Sequence, residues 1–140
     1  MPSLADDLNA LHKGDAFCLC GSGKSYANCC QAYHIGTHFP EEAEQLMRSR
    51  YVAFALRLEE YLLKTWDSQS RPAQIEFENG LSWKKLTILK CQKGRSKDKK
   101  GWVTFAAQYQ IGFESHQMIE KSEFQRDKNG RWVYLTGEFE

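Results

Sequence analysis

Four cysteines crowd into thirteen residues of this sequence: Cys18, Cys20, Cys29 and Cys30, spaced C-x-C-x8-C-C, with Cys91 standing apart. Thiolates brought together in this way are soft ligands suited to a tetrahedral ion such as zinc. Disulfides are the competing chemistry. They need set separations and directions, so bridging Cys18 to Cys20 or Cys29 to Cys30 would strain the chain. The N-terminus, Met1 to Asp7, has neither a basic nor an apolar leader segment, which makes the reducing cytosol the expected compartment and metal binding the expected use of the thiols.

Gly21 and Gly23 lie between the cysteine pairs, where they tolerate the positive φ of a tight knuckle and let backbone N–H groups face the sulfurs. Lys24 adds a compensating cation. Gly23-Lys24-Ser25 matches the end of a phosphate-binding loop, but Cys18 stands where that loop needs its first glycine, and no buried strand leads into it.

The run from Phe17 to Cys30 resembles the SEC-C zinc-binding motif, found at the C-terminal tail of the bacterial preprotein-translocase ATPase and in many small accessory proteins. Carried over position by position, the resemblance implies that Cys18, Cys20, Cys29 and Cys30 are the zinc ligands. His34 is the main rival for the fourth place, with His12 and His38 behind it. Further on, Leu46 to Phe54, Tyr61 to Trp66, Arg71-Pro72, Glu120 to Arg126 and Gly130 to Tyr134 resemble the YchJ-like family. That resemblance implies a SEC-C motif at 17–36 and a nuclear-transport-factor-2-like cone domain at 37–140, and the weak apolar pattern before them reads as an arm or short helix at 1–16.

The elements that must position these residues follow from periodicity. Pro40 with Glu41 and Glu42 reads as a helix start, because proline is tolerated in a first turn and carboxylates favour its positive end. Ala43, Leu46, Met47, Arg50, Phe54 and Leu58 continue at helical spacing, and a second short helix is predicted from Leu58 to Trp66. Arg50 lies on that apolar stripe, so it should either pair with a carboxylate or stand at a pocket mouth. After Pro72 the pattern alternates. Strands are predicted at Leu86–Leu89, Trp102–Ile111, Ser115–Arg126 and Arg131–Thr136, punctuated by Gly94, Gly112 and Asn129-Gly130. Val103, Phe105, Ala107, Tyr109 and Ile111 share one parity and so one buried face. Helices followed by an antiparallel sheet give an α+β fold. Leu4, Leu8 and Leu11 hint at a short N-terminal helix.

Folds of the cone type enclose a pocket, which raises a lyase or isomerase reading with Tyr51, Asp67, His116 and Glu120 as pocket candidates; Tyr109 and Ser122 are further polar groups. A general base would need His116 beside Asp67 or Glu120. Trp66, Trp83, Trp102 and Trp132 read as core or rim packing. A second alternative is nucleic-acid or ribosome binding: Lys84 to Lys100 holds eight basic residues and the single acid Asp98, in a chain whose net charge is only +1. No aromatic interleaves that cluster, so a lysine-rich strand edge is the favoured reading. The same lysines would lower the pKa of Cys91, although a buried strand position is the plainer fate for that thiol.

With 41% apolar and 26% charged residues in 140, the chain is a globular domain and not a disordered or heptad-repeat one. Its longest apolar run, Tyr51 to Leu56, is far short of the roughly 18 residues of a membrane span. The resemblance to the translocase tail, whose zinc motif serves partner binding, implies a zinc-stabilised cytoplasmic adaptor whose knuckle contacts a protein partner, such as a chaperone or a ribosome-associated component. Pairing of two copies through the sheet would suit the shape.

Overall fold

The structure, a computed structural model, describes residues 16–140; the expected arm with Leu4, Leu8 and Leu11, and His12 beside it, lies outside them. Three helices, α1 (Cys30–His34), α2 (Ala43–Leu56) and α3 (Glu59–Lys64), precede four strands, β1 (Leu81–Lys93), β2 (Lys100–Ile111), β3 (Glu114–Arg126) and β4 (Trp132–Phe139). The strands form one antiparallel sheet in the order β1-β2-β3-β4, and α2 packs against it. The fold is α+β, as the sequence pattern predicts.

Helix α2 starts at Ala43, one residue after its cap Glu42, so Pro40 stands before the helix and not in its first turn. The Gln45 side chain accepts from the backbone N–H groups of Glu41 and Glu42, at 2.9 and 3.0 Å, and so satisfies donors left free at the helix start. Arg57, at φ 59°, ends the helix in the left-handed region, and α3 follows almost at once. Two faces of α2 are buried. Met47, Arg50, Tyr51 and Phe54 look toward the sheet. Ser49 is turned about half a revolution from that row and meets α1.

Beyond α3 the chain runs parallel to β4 for a few residues. The Tyr134 N–H donates to Thr65 O, and the Asp67 N–H to Tyr134 O, each at 2.8 Å. This pairing stacks the Trp66 ring on Tyr134, centroids 5.1 Å apart. The predicted turns all form. Gly112, at φ 60°, occupies the first position of the two-residue β2–β3 turn, where glycine is favoured. Val103, Phe105 and Ala107 are buried as expected, whereas Tyr109 is half-buried and Ile111 exposed, because the distal end of the hairpin runs past the helices. The basic cluster occupies the edge strand β1 and the β1–β2 connection, where lysines discourage pairing with another chain.

Candidate metal centre and cavity

The knuckle is built by a short loop and one turn of helix. Phe17 bridges to Ser25, a tight 3-10 turn spans Tyr26–Asn28, and Gly21 and Gly23 take φ values of 81° and 85°. This folding brings the sulfurs of Cys18, Cys20, Cys29 and Cys30 within 4.8 Å of one another. The Cys20–Cys29 and Cys29–Cys30 sulfur distances are 3.6 and 3.9 Å. A tetrahedral ion bound by thiolates at about 2.3 Å requires sulfurs about 3.8 Å apart, so the donor set fits a metal ion.

The thiol chemistry agrees. Cys20 pushes the neighbouring Cys18 thiol up to about 12, and Cys18 and Cys20 together raise Cys30, while Cys20 itself is driven down by Cys18 and Cys30. Metal ligation needs thiolates, and a cation among these sulfurs would favour that form. Ser22 Oγ lies 3.2 Å from Cys29 Sγ, where it can donate to a thiolate. The guanidinium of Arg48, itself 3.0 Å from Glu44, donates to Cys20 O and supplies a cation from α2 that the loop sequence did not reveal. Lys24, singled out for that role, is exposed.

His34 does not compete for the ion. Its Nε2–H donates to Ser49 O at 2.8 Å, and its Nδ1 accepts from the Tyr26 hydroxyl at 2.6 Å, so both ring nitrogens are used. The ring also meets the edge of Tyr61, centroids 4.8 Å apart. His38 is exposed and bonds only Thr37. His34 is therefore a strut between knuckle and domain, and it works in its neutral form. Burial lowers its pKa below the ordinary histidine value. Protonation therefore favours the unfolded chain first: the stability this strut contributes is complete above about pH 6.5 and is lost as the pH falls toward the folded-state value. His34→Phe, with metal saturating, should destabilise the fold by about 1–3 kcal/mol at pH 8. The gap to wild type should narrow below about pH 6.5, and a pH-independent gap in urea melts would contradict the strut.

On the sheet side of α2 lies a cavity of about 330 Å³. Its wall is largely aromatic, including Tyr51, Trp66, Trp83, Phe105 and Tyr134, and it is not plugged by these rings. Two charged side chains reach it. Glu120 is buried on β3, and its Oε2 accepts from Ser122 Oγ and, at 3.2 Å, from the Tyr134 hydroxyl. Gly137, opposite Ser122 across the β3–β4 pair, makes this possible: a Cβ there would stand 2.6 Å from the Glu120 carboxyl carbon and 2.7 Å from the Tyr134 oxygen. Residue patterning singled out neither Tyr134, which lines the cavity, nor Gly137, which adjoins Glu120 and Tyr134.

Arg50 follows neither sequence expectation. No carboxylate lies within 4.0 Å of it among the described residues, and it is deeply buried rather than displayed at the mouth. One terminal nitrogen donates to Leu62 O and Thr65 Oγ1, both at 2.8 Å, and the guanidinium lies about 5 Å from the Trp66 and Tyr134 ring centres. Desolvation lowers its pKa to about 10, which leaves it charged at neutral pH.

The other pocket candidates divide. Tyr51 and Glu120 line the cavity, with Ser122 beside them. His116 does not: it sits at the exposed end of β3, stacked on Tyr109, with Nε2 3.4 Å from Glu114. Four strand residues, about 13 Å, separate it from Glu120, too far for a shared proton. Asp67 is held outside by the Gln125 side chain and the Gln69 N–H. Among the described residues no histidine lines the cavity, so the expected acid–base pair is not assembled. The tryptophans split as well: Trp66 and Trp83 line the cavity, while Trp102 donates to Glu123 and Trp132 to Glu41 O. Cys91 is exposed, not buried. Desolvation and the adjacent Glu44 raise its pKa to about 11, the reverse of an effect from the lysines.

Comparison with known proteins matches the same two parts. Residues 18–32 match the SEC-C motif, and residues 42–137 match the family model described as YchJ, middle NTF2-like domain. A UPF0225 protein of Corynebacterium efficiens is 42% identical over 124 residues, covering 89% of this chain and 94% of that protein. One of Streptomyces coelicolor is 43% identical over 122 residues, covering 87% and 94%. Among solved structures, a SEC-C motif containing protein from Rhodopseudomonas palustris aligns with a TM-score of 0.76 at 31% identity, over 86% of this chain and 96% of that one. Another, from Psychrobacter arcticus, aligns at 0.73 and 24% identity, over 88% and 82%, and shares the fold. A domain match spanning most of the chain, joined to relatives this alike along nearly their whole length, establishes that the protein belongs to the YchJ-like UPF0225 family.

Proposed function

We propose that the protein is a zinc-stabilised cytoplasmic adaptor whose SEC-C knuckle docks a protein partner. One contrast within the knuckle carries this reading. The cysteines are closed in, with Cys18, Cys20 and Cys30 at most 4% exposed, while the apolar residues around them face solvent: Phe17 at 76%, Leu19 at 43% and Ile35 at 66%. A metal held by four thiolates has no open coordination position for substrate, so its task is to hold the turn in shape. Apolar side chains presented on a turn so fixed suit a partner surface, because little further ordering is lost on binding. The residues described here form no helix long and apolar enough to cross a membrane.

The reading is tested by capture from a bacterial lysate with three baits: wild type, Phe17→Ser/Leu19→Ser/Ile35→Ser, and Glu120→Gln. The triple variant keeps every cysteine and should still bind zinc, yet it should lose the partner that wild type and Glu120→Gln retain. Retention by the triple variant would overturn the adaptor reading.

A further inference from the structure

The cavity between α2 and the sheet presents two opposite charges, Arg50 and Glu120, that form no direct ion pair. Arg50 engages one terminal nitrogen with the protein, and its Nε and second terminal nitrogen have no hydrogen-bond partner among the described residues. On the far strand, Glu120 commits Oε2 to Ser122 and Tyr134, while Oε1 has no partner among the described residues. The indole N–H of Trp66, in the same wall, is buried and unpaired. Among the described residues the Trp66 N–H is the side-chain group of this wall that is shut off from solvent without a partner, which is costly; the free Arg50 nitrogens and Glu120 Oε1 stay accessible from the cavity, and glycine at 137 leaves room for the Glu120 carboxylate. Aromatic rings form most of the remaining wall, and the volume falls at the lower end of the range for small-molecule sites, roughly 300–1,000 Å³.

These features define an occupant. Its body must be flat and apolar to fill space between rings. Its polar end must offer an acceptor to Arg50 and a donor to Glu120. It must also carry no net charge, because a cation would meet Arg50 and an anion would meet Glu120 in a poorly solvated space. We propose that the cavity is a binding site for a small, neutral, planar molecule with an amide-like edge, its oxygen on Arg50 and its N–H on Glu120. This site is separate from the knuckle: it uses the face of α2 that carries Met47 and Tyr51, not the face of Ser49 that meets His34.

Three isosteric probes test the charge rule: 2-naphthamide, 2-naphthoate and 2-naphthylmethylammonium, titrated into the intact protein with quenching of Trp66 and Trp83 fluorescence and calorimetry as readouts. The amide should bind at least about tenfold more tightly than either ion. Glu120→Gln removes the negative charge and should reverse the order of amide and anion, with 2-naphthoate gaining about tenfold or more over its affinity for wild type. Ala107→Leu keeps every polar group but fills part of the cavity, and it should weaken all three probes. Preference of the wild type for either ion would overturn the proposal. So would failure of all three probes to bind, or amide binding unchanged by Ala107→Leu.

Discussion

One zinc ion per chain is the expected content of the purified protein, and removing it is the change expected to cost the most stability. Structural thiolate sites of this kind contribute on the order of 10 kcal/mol of metal-binding free energy, all of it available to folding because the unfolded chain has no preformed site. The loss would not be confined to the knuckle. Cys18, Cys20, Tyr26 and Cys30 belong to the same buried cluster as Leu46, Met47, Val52 and Leu86, so the metal loop forms part of the domain core. Arg48 and His34 add polar ties across that seam. Chelation should therefore lower the melting temperature of the whole protein and release the Tyr26 and His34 resonances together. Elemental analysis of Cys18→Ser/Cys20→Ser decides the ligand assignment, and full zinc occupancy in that variant would remove it. A chelated protein whose domain melts as before would instead show that the shared core contributes little.

The metal loop was legible because its chemistry is local. Ligands within thirteen residues, with glycines where φ must be positive, leave few other arrangements. Helices α2 and α3 and three of the strands were legible for a related reason, the regular spacing of their apolar residues, whereas α1, a single turn at Cys30–His34, is too short to show a period. Strand β1 was read only at Leu86–Leu89, yet it runs from Leu81 to Lys93. Register shifts between Trp83 and Lys85 and between Ile88 and Lys90 break the alternation that identifies a strand. The cavity was harder to read because its polar members come from four places in the chain. Arg50 is on α2, Trp66 follows α3, Glu120 and Ser122 are on β3, and Tyr134 is on β4. Strand parity placed His116 on the same face as Glu120, and that was correct. Parity gives the face and not the depth along it, and the helices cover only the Glu120 end. Gly137 shows the limit most directly, since its importance comes from a side chain across the sheet.

Gly101→Ala is expected to be the most damaging single methyl addition in the sheet. The β1–β2 hairpin closes where Gly94 and Gly101 lie backbone against backbone: the Gly94 N–H donates to Lys100 O at 3.0 Å, and the Ala43 N–H at the start of α2 donates to Gly94 O at 2.9 Å. A Cβ on Gly101 would overlap Gly94 Cα, stand 2.8 Å from Gly94 N and lie 3.2 Å from Ala43 Cβ. The obstacle is main chain, which cannot rotate aside as a side-chain tip can. Relief requires the strands to part or α2 to lift, and α2 carries both the knuckle seam and the wall of the cavity. The expected cost is about 3 kcal/mol, or a fall in melting temperature of about 10 °C for a domain of this size. A double variant, Gly101→Ala/Ala43→Gly, separates the two contacts. It removes the neighbouring methyl but leaves the Gly94 backbone in place, so it should recover little of the loss. Recovery to near wild type would assign the strain to the helix start, and a single variant within about 0.5 kcal/mol of wild type would show that the hairpin base yields freely.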